Sequence, residues 1–213
     1  MKKRRTITYI DGFNLYYAIK DLDRPNLKWV DLWKLSETFL RKNETLEAVN
    51  YFTAYATWMP DKMLRHRQYT KALMEQGVSI VFGKFKDKFL TCRKCGRTYQ
   101  TKEEKETDVN IATALITDAF QDKYDRAILI TADTDLRPPI DIVRKNFANK
   151  ELLVAAPPGR LRRARGLQPK YDIKPGRIAN CLLPKEVKDD DGNIIASIPP
   201  EWDKATIEEQ GNR

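Results

Sequence analysis

The run Thr6-Ile-Thr-Tyr-Ile-Asp11-Gly12-Phe-Asn14 decides how the rest of the chain is read. Its first five residues are β-branched, aromatic or apolar, the composition of a strand, and they stop at an Asp-Gly pair that favours a turn. Runs of the same kind recur at 48–57, 78–82, 127–131 and 151–155. Between them the apolar residues take helical spacing. Leu32, Leu35, Phe39 and Leu40 form one face, and Met63, Tyr69, Leu73 and Met74 a less regular one. Ile111, Leu115 and Ala119 form a stripe, and Ile140, Ile142 and Val143 another. Strands alternating with helices predict βαβ units and a mostly parallel sheet covered on both faces.

Two regions break this rhythm. Residues 85–101 alternate aromatic and polar side chains around Cys95-Gly96, which predicts a β-hairpin inserted into the domain. From Tyr171 onward the chain carries Pro175-Gly176, Pro184, Asp189-Asp-Asp-Gly192 and Pro199-Pro200. That composition predicts a loosely structured C-terminal extension, 171–213, with one short hairpin across Asp191-Gly192, following a domain over 1–170.

The 213 residues, 41% of them hydrophobic, suffice for one core and favour one domain over two. No apolar run approaches the length of a membrane span. Asp11 stands too close behind the basic start Lys2-Lys-Arg-Arg5 for the apolar segment of a signal peptide to fit between them. Three cysteines give no disulfide framework, which fits a reducing cytoplasm. A net charge of +9 favours a polyanionic partner, nucleic acid above all.

In a parallel sheet every strand ends at one edge, and ligands sit outside those carboxyl ends. Four aspartates are expected there. Asp11 follows the first strand; Asp133 and Asp135 follow Ile128-Leu-Ile-Thr131-Ala; Asp108 opens the helix that bears the stripe of Ile111, Leu115 and Ala119. Each alone could be a turn former or a helix cap. Together they would repel one another unless a cation sits among them. Oxygen ligands suit a hard ion, Mg2+ or Mn2+, of the kind that assists phosphodiester hydrolysis.

These residues carry a resemblance to a known family. Tyr9-Ile-Asp-Gly-Phe-Asn-Leu-Tyr-Tyr17 resembles the opening motif of NYN domains, the PIN-like ribonucleases, in their bacterial LabA-like branch. Thr107-Asp-Val-Asn-Ile-Ala112 resembles the central motif and Thr131-Ala-Asp-Thr-Asp-Leu-Arg-Pro-Pro-Ile140 the third. The resemblance implies a three-layer PIN-like fold and metal-dependent endoribonuclease activity. Asp11, Asp108 and Asp133 match the acidic positions, with Asp135 as a fourth metal ligand. Asn14 matches the family's Asn, which orients a ligand or the substrate phosphate, and Thr131 beside the acidic cluster would hold a water or phosphate.

Other signals are secondary. Cys92-Arg-Lys-Cys95 has the spacing of half a zinc ribbon, but no second pair exists. Zinc would need a homodimer or completion by Cys181 and His66, and a metal-free hairpin is the favoured reading. His66 is expected on the surface of a basic helix. Arg160, Arg162 and Arg163 follow the last strand and are candidate contacts to RNA phosphates, or a solvated helix face. Tyr16, Tyr17 and Trp58 are either core or base-stacking residues. Two other functions compete with cleavage. One is a non-catalytic RNA-binding or regulatory protein, which would gain nothing from carboxylates facing phosphate. The other is a haloacid-dehalogenase-type phosphohydrolase with Asp133 as nucleophile, whose motif wants Thr or Val where Arg137 stands.

Overall fold

The computed structural model describes residues 3–203. Strand β1 (Arg4–Asp11) lies inside a six-stranded sheet and passes directly into helix α1 (Gly12–Lys20). After α2 (Leu32–Glu37) come β2 (Glu44–Thr53), α3 (Pro60–Glu75) and β3 (Ser79–Phe82). An antiparallel pair, β4 (Lys84–Thr91) and β5 (Thr98–Lys105), precedes α4 (Thr107–Phe120), β6 (Arg126–Ile130), α5 (Arg137–Asn146) and β7 (Glu151–Ala156). The sheet order is β3-β2-β1-β6-β7, closed on that side by β8 (Tyr171–Asp172), with every neighbouring pair parallel. The chain thus builds outward from β1 on one side, then returns to lay β6 on its other side. The gap between the carboxyl ends of β1 and β6 is the switch point of the sheet, where such folds bind ligands.

Both sheet faces are buried, as parallel strands require. Ile128 and Ile130 of β6 pack with Leu15, Ile19, Leu32, Leu35 and Leu73, so α1, α2 and α3 cover one face. Ala127 and Leu129 point the other way, into Ile111, Leu115, Ile140 and Val143 of α4 and α5. The alternation within β6 is the two-residue period of a strand between two helical layers.

Two expectations change. The second strand, read as 48–57, runs from Glu44 to Thr53. Its ladder starts at Arg4↔Glu44 and ends at Asp11↔Phe52, because β1 becomes a helix at Gly12 and offers no further partner. The extension after Tyr171 is also not loose as far as Asp203, and its residues 204–213 lie outside the described ones. Tyr171 and Asp172 join the sheet, α6 (Pro175–Ala179) follows, and β9 (Glu186–Lys188) pairs with β10 (Ile194–Ser197) around the expected Asp191-Gly192 turn. Ile173, Ile178, Leu183, Val187 and Trp202 from this stretch are buried in the core, with Trp202 against Trp29 and Tyr69. Apolar residues scattered among prolines and aspartates have no periodicity, so their burial could not be read beforehand. The hairpin insertion is present and slightly longer than 85–101, from Lys84 to Lys105.

At the amino edge of the sheet, charges are paired. Arg126 and Glu44 are both fully buried and joined through Nη1 and Oε2, and Arg126 Nη1 also donates to the Phe39 carbonyl at 3.0 Å. Glu151 sits nearby, accepting from Arg4 (3.2 Å) and Arg41 (2.9 Å). Removing one buried partner strands the other, at a cost of about 3–5 kcal/mol. Arg126→Met is therefore expected to lower the urea-unfolding free energy by that amount. Adding Glu44→Met should recover most of the loss in the same measurement.

Candidate active site

Asp11 is the last residue of β1 and the N-cap of α1. Its carboxylate accepts from the Asn14 backbone N–H (3.0 Å), from Asn14 Nδ2 (2.8 Å) and from Thr131 Oγ1 (2.8 Å). Asn14 Oδ1 in turn accepts from the Ala132 N–H at 3.3 Å. Thr131 Oγ1 also accepts from the Asp133 N–H at 3.0 Å, and Asp133 Oδ1 accepts from the Asp135 N–H at 3.1 Å. One hydrogen-bonded chain thus links the end of β1, the first turn of α1 and the loop after β6. Gly12 is required here. A Cβ at this position would stand 2.5 Å from the Phe52 carbonyl and 2.8 Å from the Tyr51 ring.

Asp11 is only 3% exposed. Burial pushes its carboxyl up, the bonds from Asn14 and Thr131 pull against that, and the nearby Asp133 charge adds to the rise. Asp108, half-buried in the first turn of α4, is pushed up to about 6, first by burial and then by Asp11, Asp133, Glu104 and Asp135. The four predicted aspartates therefore share one electrostatic field at the carboxyl edge. Asp133 is half-buried and Asp135 exposed. As placed, no three His, Cys, Asp or Glu side chains among the described residues converge closely enough to hold an ion. The donor set nevertheless suits a hard cation in its chemistry: carboxylate oxygens, with four acidic neighbours acting on Asp108.

Glu104, near the end of β5, was not anticipated. It accepts from the Thr107 N–H at 3.0 Å and from the Thr107 hydroxyl, anchoring the start of α4 while adding charge to the site. Within the run Lys102-Glu-Glu-Lys-Glu106 nothing distinguishes it from a solvated strand residue.

The arginine run lies beside the acidic loop. It follows β7, and Arg163–Leu167 form a turn of 3-10 helix. Ala164 packs with Ala132 and Ala156, and Gly166 is placed so that a Cβ would meet the Thr134 methyl at 3.3 Å. Arg162 and Arg163 are exposed, whereas Arg160 is tied to Asp21. The sulfur groups stay apart. Cys92 and Cys95 occupy the tip of the β4–β5 hairpin, where the N–H groups of Cys95 and Lys94 lower the Cys92 thiol pKa. Cys181 is buried in the core and does not complete their site. Nor does His66, which is not a surface residue as expected. It is half-buried, 3.3 Å from Thr53 Oγ1 and edge-on to Tyr55, and burial pushes its pKa down to about 4. No helix among the described residues is long and apolar enough to cross a membrane.

Comparison with known proteins agrees with this architecture. The family model described as NYN domain matches residues 5–166. The chain is 27% identical over 224 aligned positions to 6-hydroxy-3-succinoylpyridine 3-monooxygenase HspA of Pseudomonas putida, covering 86% of this chain and 71% of that one. A crystal structure of a protein of unknown function from Vibrio parahaemolyticus superposes with a TM-score of 0.54 at 19% identity, over 85% of this chain and 98% of that one. The last likeness bears on the fold alone.

The raised Asp108 carboxyl has a consequence for stability. It holds its proton to higher pH in the folded chain than in the unfolded one, so folding becomes less favourable as pH rises from about 4 to about 6. With EDTA present, Asp108→Asn is expected to stabilise the protein at pH 8 by about 1 kcal/mol, after allowing for solvent screening at this half-exposed group. The gain should vanish near pH 4. Chemical denaturation at the two pH values measures it.

Proposed function

The chain belongs to the NYN domain family, and from that premise we propose that it is a metal-dependent endoribonuclease. The family is nuclease-like. The observation that carries the reading is the gathering of Asp11, Asp108, Asp133 and Asp135 at the switch point of the sheet, where burial first and then the neighbouring charges raise Asp108. In this proposal the four aspartates would hold Mg2+ or Mn2+. The ion, when bound, would supply Lewis-acid stabilisation of the negative charge that builds on the phosphate and lower the pKa of a water.

The chain's own residues supply position. Asn14 and Thr131 fix both oxygens of Asp11, so that this carboxylate cannot rotate away from the site. Arg162 and Arg163, exposed on the neighbouring loop, would bind phosphates flanking the cut. RNA as substrate is supported by the motif resemblance and by the net charge of +9. The Pseudomonas relative is named for oxygenation of a substituted pyridine, which at 27% identity is said of that protein alone.

The test is cleavage of varied RNA and DNA with Mg2+ or Mn2+, comparing the native chain with Asp133→Asn. The substitution is expected to lower the rate by about 10²-fold or more. Activity that survives it would sink the mechanism. Binding without cleavage at any metal concentration would favour the regulatory alternative.

Arg162→Ala with Arg163→Ala should weaken RNA binding across sequences. It should also flatten the dependence of log K on log salt by about 1.4, the share of two single-strand phosphate contacts. A salt titration of RNA binding reads this directly.

A further inference from the structure

A cleft of about 900 Å3 opens on the helical face next to the acidic edge, a size suited to a small molecule. Its walls include Phe13, Tyr16, Trp58 and Phe85. Phe85 meets Phe13 and Trp58 edge-on, with ring centroids 5.6 and 4.6 Å apart, so α1, the loop before α3 and the β4–β5 hairpin close around one space. The lining also includes Tyr51, Thr53 and His66, and burial keeps the His66 ring neutral at pH 7. These groups offer hydrogen bonds without charge.

Cations also line the cleft. Lys28 lies 5.7 Å over the Tyr16 ring and Lys20 5.9 Å over the Tyr17 ring. Burial, then Lys20 and Arg65, lower the Lys28 pKa, with Asp23 opposing them more weakly. Crowded cations of this kind are relieved by an anion. Arg65 is held at 2.8 Å by Glu201 and Lys102 is paired with Asp87; Lys62 also lines the cleft, but Lys20 and Lys28 are the pair whose charges crowd one another. Gly12 forms part of the wall and is the next residue after Asp11, so the cleft adjoins the carboxylates.

We propose that this cleft binds a nucleotide, its base against the Tyr16, Trp58 and Phe85 rings and its phosphate on Lys20 and Lys28. Aromatic walls accept any base through its π-face, and the polar groups of Thr53 and His66 are available to the base edge. The nucleotide has two sources, a free mononucleotide or one residue of a single-stranded RNA. Only the second rests on the ribonuclease reading.

Titration calorimetry of the whole chain with adenosine and uridine 5′-monophosphates, in EDTA, tests the proposal without reading cleavage. At least one monophosphate is expected to bind about tenfold or more tightly than its nucleoside, since the phosphate meets two cations. Lys20→Ala with Lys28→Ala should remove that preference. Trp58→Ala, at a partly exposed position that tolerates truncation, should weaken binding about tenfold by loss of a stacking face. No binding of either monophosphate would overturn the proposal, as would affinity unchanged in all three substitutions. Displacement of the bound monophosphate by a short single-stranded oligoribonucleotide assigns the cleft to RNA. Binding without such displacement assigns it to the free nucleotide.

Discussion

A carboxylate taken out of water must be met by hydrogen-bond donors, and Asp11 is the point at which the fold answers that demand. It is nearly inaccessible, and its donors come from two places far apart in sequence, α1 and the residue after β6. The need to satisfy one charge therefore ties the first strand to the neighbour laid beside it much later in the chain. It also fixes the start of α1, because the same carboxylate that caps the helix is held by the strand beside it. Asp133 and Asp135 inherit their places from this arrangement. Their loop begins at Thr131, whose hydroxyl donates to Asp11 and accepts from the Asp133 N–H.

The two edges of the sheet treat charge in opposite ways. At the amino edge Arg126, Glu44, Arg4, Arg41 and Glu151 alternate in sign, and each acid is neutralised by a base. At the carboxyl edge the acids neighbour one another, and Asp108 is raised first by burial and then by their charges. A protein under no demand but stability would not gather like charges at one edge while pairing them so thoroughly at the other.

Much of this was legible in the sequence, for physical reasons that can be named. Strands buried on both faces are continuous apolar runs, so β1, β6 and β7 stand out, and the acids after β1 and β6 mark the strand ends. The start of β2 was not legible. Thr45-Leu-Glu47 looks polar, and it is a strand only because Arg4–Thr6 lie beside it. Glu104 is hidden in a run of alternating charges, and its role depends on where Thr107 begins α4. His66 sits between two arginines in sequence, yet its side of α3 turns towards Thr53 and Tyr55. The aromatic cleft joins side chains from α1, Lys28, β2, the α3 region, the hairpin and the stretch at Glu201, and no local pattern announces a space enclosed by segments so far apart.

The width of the sheet has a further meaning. Its outer strands are its shortest parallel members, four residues in β3 and two in β8. An exposed strand edge is a template for pairing with another molecule, and shortness is one of the ways natural sheets blunt it. The late strand β8, drawn from a stretch whose sequence reads as a tail, thus gives the β7 side a border too brief to seed a growing stack. Lys170 and Lys174 flank it, so a strand approaching that border would also meet positive charge. The sheet can therefore leave its carboxyl edge open while both flanking strands stay short.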